Sequence, residues 1–99
     1  MPASEHIGME SQYSDLQAAT ERVMAVKRAH EAELLAKPNV VGVGIGYRQI
    51  GGQSTNTIAL VVMVTQKLPP SLLSSEDQIP VLIDDVPVDV QEVGEITAY

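Results

Sequence analysis

The stretch "NVVGVGIGYR", Asn39 to Arg48, places Gly42, Gly44 and Gly46 at every second position. Apolar residues fill the positions between and beside them: Val41, Val43, Ile45 and Tyr47. A period of two is typical of a β-strand, whose successive side chains point to opposite faces. The stretch therefore predicts a strand with one face bare of side chains. Glycines in a strand indicate close approach of another backbone or a helix.

A phosphate-binding loop is the alternative interpretation of these glycines. A dinucleotide fingerprint needs Gly-x-Gly-x-x-Gly between a strand and the helix that receives the pyrophosphate. Here the spacing is Gly-x-Gly-x-Gly, and no Gly-Lys-Ser or Gly-Lys-Thr follows it. The run also follows a predicted helix rather than preceding one. We therefore expect no nucleotide and no other cofactor.

A helix is predicted upstream of the glycine strand. Ser14 and Gln17 have the spacing of a capping box, and Pro38 discourages helix in the residue before it. The expected helix runs from Ser14 to about Ala36, after a small, polar segment 1–13 that we expect to be a flexible arm. Its apolar stripe recurs at steps of three and four: Leu16, Ala19, Val23, Val26, His30 and Leu34.

A hairpin is predicted downstream, because "QIGGQSTN" contains Gly51 and Gly52, which readily adopt positive φ. The return strand is "TIALVVMVTQ". Ala59, Val61 and Met63 line one side of this strand, and the other side is also apolar. Such a strand is typically central and buried on both faces.

The last part of the chain predicts a second hairpin. "KLPPSLLSSEDQIP" indicates a Pro-rich connector with one helical turn at "SLLSSED", and two short strands, 81–83 and 86–93, follow it. Asp84 and Asp85 fit the turn between these strands, although a glycine would suit the second position of a tight primed turn. Pro87 lacks a ladder donor and suggests an edge strand. The fold class is therefore α+β: one single domain, 14–99, with a long N-terminal helix on a small, mostly antiparallel four-stranded sheet.

Composition and charge exclude several classes of protein. The chain has 99 residues, no cysteine and a formal net charge of −7. Acidic and basic residues balance through Lys67, and all net charge comes from the later acids: Glu76, Asp77, Asp84, Asp85, Asp89, Glu92 and Glu95. We expect no nucleic-acid partner, because phosphate binding needs clustered basic residues.

No apolar segment approaches the ~20 residues that cross a membrane, so we expect no membrane association and a cytoplasmic location. The acidic region is either a solvated surface or a patch for a basic partner.

No residue set predicts catalysis or a metal site. The two histidines, His6 and His30, have no second histidine three or four residues away. Adjacent Asp84 and Asp85 indicate a turn rather than a metal site. No serine stands in a Gly-x-Ser-x-Gly context. We therefore expect no catalytic and no metal-binding residues, and not an enzyme; a small enzyme that shares a site between subunits would have His30 as its candidate base.

Three segments resemble a known family: "HEAELLAKPNVVGVGIGYR", "ALVVMVTQKLP" and "IPVLIDDVPVDVQEVGEI". The likeness covers His30 to Ile96. These segments resemble the small N-terminal domain that precedes the peptidase domain in a group of bacterial trypsin-like serine proteases, a group related to the plant narrow-leaf protease. The resemblance implies an accessory α+β domain. The catalytic triad of that family belongs to the peptidase domain, which is missing here, so no catalytic residue is carried over.

One helix can cover only one face of a four-stranded sheet, and contiguous apolar patches are seldom left exposed on monomers. The chain therefore predicts a non-enzymatic assembly or docking module that self-associates, or binds a protein partner such as a protease, through an apolar sheet face or a strand edge. The alternative is a stand-alone regulator of a trypsin-like serine protease, inhibitory or chaperone-like. The predicted candidate association surface consists of Gly42, Gly44, Gly46, Ala59, Val61 and Met63. The alternative is its valine counterpart, the valine-rich side chains on the other face of the same two strands.

Overall fold

The chain forms one helix and a four-stranded mixed sheet, as the α+β prediction requires. The computed structural model describes the backbone of residues 3–94 and the side chains of residues 15–69 and 71–94. Along the chain the elements are α1 (Ala3–Leu35), β1 (Val40–Ile50), β2 (Gln53–Val64), a 3₁₀ turn (Pro70–Leu72), β3 (Leu82–Ile83) and β4 (Val86–Glu92). Within the described residues, no helix has the length and apolar composition needed to cross a bilayer.

Helix α1 starts well before the predicted N-cap. It runs from Ala3 through Ser14 without a break, so the predicted start at Ser14 is wrong. A capping box indicates where a helix can begin, but it does not stop a helix that has already begun upstream. Most of the segment 1–13 is thus helical, and its flexibility stays a prediction. The side chain of His6 lies outside the described residues.

The apolar stripe of α1 faces the sheet over its C-terminal half. Val23, Val26 and Leu34 are buried, and His30 is half-buried at the rim of the same face. Leu16, at the other end of the stripe, is exposed. The 3.6-residue period thus identified the buried face.

Helix α1 ends at Leu35, close to the predicted end before Pro38. Asn39 then takes the left-handed conformation, with φ of 70°. Its backbone oxygen accepts a hydrogen bond from the Thr65 amide at 2.9 Å, and its side-chain Oδ1 accepts one from Thr65 Oγ1 at 3.1 Å. Asn39 therefore joins the start of β1 to the end of β2.

Strand order in the sheet is β1-β2-β4-β3. The pairs β1–β2 and β3–β4 are antiparallel hairpins, and the central pair β2–β4 is parallel. The connector between the hairpins includes the 3₁₀ turn, which overlaps the start of the predicted helical turn. The sheet is thus two hairpins joined side by side through one parallel ladder.

Strand β2 is central and buried, as predicted. Ala59, Leu60, Val61 and Val62 are all buried, and Leu60 and Val62 are completely inaccessible. The main core is the contact of one β2 face with the buried stripe of α1 and with β4, and it comprises Val23, Val26, Leu34, Leu60, Val62, Val64, Val86 and Val88. At about 25 cal/mol per Å² of buried apolar area, these aliphatic contacts are the main stabilising term available to a chain without aromatic core residues.

The predicted edge position of the strand that contains Pro87 is wrong. β4 lies between β2 and β3. Proline is tolerated there because the ladder with β2 begins only at the pair Leu60–Val88, one residue later. Pro87 opposes Leu82 of β3 alone. Its missing N–H therefore falls outside the parallel ladder.

Both hairpins have two-residue turns with positive φ. Gly51 and Gly52 have φ of 59° and 80°, and Asp84 and Asp85 have φ of 49° and 65°. Positive φ at both central residues defines the type I′ turn, which matches the twist of the flanking strands. The primed turn between β3 and β4 thus forms without a glycine. Its two aspartates occupy a region that costs an L-residue about 1 kcal/mol or more.

Replacing Asp85 with glycine should stabilise the domain. Glycine adopts positive φ without strain, and relief of that strain should exceed the entropy that glycine adds to the unfolded chain, for a net gain of about 0.5 kcal/mol. Urea denaturation measures the change. Asp85→Ala is the matched control, and it should be less stable than wild type because alanine keeps the Cβ and tolerates this region poorly. An Asp85→Gly variant less stable than wild type would contradict the assignment of strain to this turn.

Candidate association surface

The six residues of the candidate association surface lie on one face of the β1–β2 hairpin. They form three directly opposed pairs: Gly42–Met63, Gly44–Val61 and Gly46–Ala59. The alternate residues pair on the other face, toward α1: Val43–Val62, Ile45–Leu60 and Tyr47–Ile58. The period-two pattern therefore placed all six residues together correctly.

The glycines leave room for side chains of the neighbouring strand. A Cβ built on Gly42 would lie 2.8 Å from Met63 Cε, and one built on Gly46 would lie 3.3 Å from Val61 Cγ2. At Gly44 the nearest atom, again Met63 Cε, is 3.8 Å away. The expectation of close approach by a helix or another backbone is wrong here, because the approaching groups are side chains of β2. These side chains lean over the glycine strand and partly fill its bare face.

Two members of the surface are buried within the chain. Ala59 is completely inaccessible and Val61 is nearly so, whereas Met63 and the three glycines are half-buried. The accessible part of the candidate association surface is therefore the β1 side with Met63. Association through this face stays a prediction, but its available area is smaller than the sequence suggests.

A hydrogen bond across the sheet draws the end of β1 toward β4. Asp89 opposes Val61 in the parallel ladder, so its side chain lies on the face of the candidate association surface. The Gln49 amide of β1 donates to Asp89 Oδ2 at 3.1 Å, and Gln91 Nε2 donates to the same oxygen at 3.0 Å. The bond spans β2, so the hairpin must curl over the face that contains Ala59 and Val61.

Two irregularities in the β1–β2 register allow this curl. One lies between Val40 and Gly42, and the other between Tyr47 and Gln49. At the second irregularity, Thr55 Oγ1 of the bulged β2 segment donates to the Arg48 carbonyl at 2.7 Å. Bulges increase local twist and bend the strand. Neither bulge was evident from the sequence, because the apolar alternation continues through Val41 and Tyr47.

β1 is an edge strand with exposed apolar side chains. It is hydrogen-bonded to β2 on one side, and among residues 3–94 no strand lies on its other side. Its exposed large apolar side chains are those of Val41, Ile45, Tyr47 and Ile50. Tyr47 is 45% exposed and Ile50 is 60% exposed. Ile45 and Tyr47 belong to the valine counterpart of the predicted surface, so the exposed apolar area lies along the β1 edge more than on the glycine face.

His30, the remaining candidate catalytic residue, lies between two carboxylates. Its Nδ1 is 3.5 Å from Glu33 Oε2, and its Nε2 is 3.7 Å from Asp84 Oδ2. The contact with Asp84 connects α1 to the β3–β4 turn. The described residues that line the cavity beside His30 include no serine, threonine or tyrosine. Among the described residues, no three His, Asp or Glu side chains are grouped as a metal site requires.

A groove of about 780 Å³, which no sequence pattern predicted, lies between the connector and the end of the sheet. Apolar side chains of β2, β4 and the connector form much of its wall, among them Val64, Leu73, Ile79 and Val90. Nearby on the connector, Leu72 is 71% and Val81 is 78% exposed. The groove arises because the connector joins the end of β2 to the start of β3 and must pass the end of β4, which lies between these strands.

Comparison with protein families decides the classification. The family model for the NARROW LEAF 1 N-terminal domain matches residues 16–91, which include the described helix stripe and all four strands. The chain belongs to this family. The resemblance seen in the sequence is therefore confirmed as to the type of domain, a small N-terminal domain related to the narrow-leaf protein, and the link to bacterial trypsin-like serine proteases stays a prediction. No match was found among curated proteins.

The glycines at positions 44 and 46 should respond differently to alanine. Gly44→Ala should be neutral or stabilising by about 0.5 kcal/mol, because its Cβ would make an ordinary contact and the unfolded chain would lose entropy. Gly46→Ala should be less stable than Gly44→Ala by about 1 kcal/mol, because the stiff Val61 side chain must shift. Urea denaturation of both variants measures the difference. Equal stabilities, or the reverse order, would contradict packing of Val61 over Gly46.

Removing the Asp89 carboxylate should destabilise the curled hairpin. Asp89→Ala should lower the free energy of unfolding by about 1 kcal/mol, because two hydrogen bonds to a charged acceptor are lost at a partly exposed site. Glu76→Ala removes the same charge at a carboxylate without a described partner and serves as the control. Asp89→Asn keeps an acceptor oxygen, so it should lose less stability than Asp89→Ala. An Asp89→Ala variant as stable as Glu76→Ala would show that the Gln49 contact contributes nothing.

Proposed function

We propose that this domain is a non-enzymatic assembly or docking module that self-associates or binds a protein partner through the β1 edge and the adjoining apolar sheet surface. The observation that carries the proposal is the exposed edge of β1. The strand spans 11 residues and contains one charged side chain, Arg48. Natural proteins protect edge strands with short lengths, prolines or several charges, because an open edge recruits other strands.

The size of the apolar edge supports association. A surface of ~400 Å² buried on each partner would contribute about 20 kcal/mol gross at ~25 cal/mol per Å² over both partners. The loss of translational and rotational freedom opposes this with an estimated ~4–15 kcal/mol. The two terms are comparable, so we expect reversible association rather than an obligate complex.

A role beside a protease is the second candidate. The sequence resembles domains that precede the peptidase in bacterial trypsin-like serine proteases, and the family match supports a small N-terminal domain related to the narrow-leaf protein. An open β1 edge is suited to an extended segment of a peptidase, which would add as a further strand. Co-purification with such a peptidase, lost when the β1 edge is changed, would favour this candidate over self-association.

A cytoplasmic location is part of the proposal, and cell fractionation tests it.

The proposal is tested by molar mass in solution. Light scattering after size exclusion at ~100 μM, well above typical specific dissociation constants, should give a mass above the 10.6 kDa of one chain. The double variant Val41→Lys, Tyr47→Lys adds charges at the edge and should be monomeric. Leu72→Lys, Val81→Lys places the same charges on the exposed connector and should behave as wild type.

Two results would contradict the proposal. A monomeric wild-type chain that also binds no peptidase would remove association altogether. Loss of association in the connector variant, with the β1 variant unchanged, would move the surface away from β1. Circular dichroism of both variants checks that each remains folded.

A further inference from the structure

One segment of the β1 edge combines regular geometry with absence of charge. It extends from Gly42 to Tyr47, between the two register irregularities that bound it. Its sequence, "GVGIGY", contains no charged residue and no proline. An extended strand from another chain could pair here along the backbone without meeting a bulge or a charged side chain.

We infer that this segment pairs antiparallel with the same segment of a second copy, with Ile45 opposite Ile45 on a two-fold axis. The inference rests on the proposed function and names its partner. Two copies joined in this way form one continuous sheet in the order β3-β4-β2-β1-β1-β2-β4-β3. The contact is isologous, because each residue meets its counterpart through the same symmetry operation.

The distribution of charge favours a second copy at this edge over the other edge of the sheet. The chain carries a net charge of −7, and all of it comes from residues after Lys67. Asp84 and Asp85 form the β3–β4 turn, and Asp89 and Glu92 lie on β4, on the far side of β2 from β1. β1 and α1 belong to the electrically balanced part of the chain. Two acidic copies can therefore approach through β1 with most of these acids away from the contact; Asp89, which accepts a hydrogen bond from Gln49, lies beside the end of β1 and outside the pairing segment. β3, in contrast, is two residues long and adjoins Asp84.

The alternation of side chains restricts the register. Opposed residues in an antiparallel pair share a face, so a continuous sheet needs glycine opposite glycine and apolar opposite apolar. Two registers satisfy this condition inside the regular segment. The register centred on Gly44 places Val43 opposite Ile45 but leaves Tyr47 opposite Val41, in the first irregularity. With Ile45 on the axis, Gly44 opposes Gly46 and Val43 opposes Tyr47, so the exposed side chains of Ile45 and Tyr47 both gain an apolar partner, and we choose this register.

Cysteine cross-linking tests this register, since the chain has no native cysteine. Cβ atoms of directly opposed residues are about 4.5–5.5 Å apart, close to the range that a disulfide spans. Under mild oxidation at ~100 μM, Ile45→Cys should lose most of its monomer to a covalent dimer. Tyr47→Cys is the control on the same strand and face, and it should stay monomeric because four residues, about 13 Å, separate the two copies. Leu72→Cys reports random collision on the connector.

The unmodified protein provides an independent measurement. Amide hydrogen exchange in the segment from Val43 to Tyr47 should slow as the concentration of wild-type chain rises from ~1 to ~500 μM, a range that spans typical transient dissociation constants. Exchange on the connector should not change.

The outcomes separate the inference from the proposed function. A wild-type oligomer whose Ile45→Cys variant does not cross-link, or whose Tyr47→Cys variant cross-links faster, would overturn the β1 pairing and leave association in place. Protection confined to the connector would do the same. A chain that is monomeric and binds no partner would overturn both.

Discussion

Burial of β2 on both faces is the constraint on which the rest of the structure depends. One face of β2 packs against α1 through Leu60, Val62 and Val64. The opposite face, with Ala59 and Val61, is also buried, although no helix within residues 3–94 covers it. A chain of this size forms only one layer of helix, so the second face must be covered by the sheet itself. The curl of β1, held by the bond between Gln49 and Asp89, provides that cover.

The glycines of β1 make this arrangement sterically possible. A strand with side chains at these positions would push away Met63 and Val61 of β2 and keep the hairpin flat. Without them, the hairpin can curl over β2, and the aliphatic side chains of β2 occupy the vacated volume. The same glycines leave one face of β1 without side chains, whereas its open edge follows from the strand order.

Local patterns predicted much of this fold, and non-local contacts account for what was missed. The helix stripe and the Gly51–Gly52 turn depend on neighbours along the chain, so their periods and residue types were sufficient. The parallel ladder pairs β2 with β4, which are separated along the chain by the connector and β3, and no local pattern specifies this pairing. The bond from Gln49 to Asp89 joins residues 40 positions apart. Only the curl of β1 brings the Gln49 amide to the Asp89 carboxylate, and no local pattern specifies that contact.

Electrostatics explains why an acidic chain can associate through this edge without a basic partner. Neighbouring strands are about 4.8 Å apart, so in a sheet continued through two β1 strands the two β4 strands are separated by five spacings, about 24 Å. The Debye length at physiological ionic strength is about 8 Å, so repulsion between the exposed acids of the two copies is largely screened at that distance. Antiparallel pairing through β3 would bring the Asp84–Asp85 turns of the two copies to two to four residues apart along the strand, or ~7–14 Å, where screening is weaker. The strand order, which separates β1 from the acidic β3–β4 hairpin, therefore favours association through the uncharged edge.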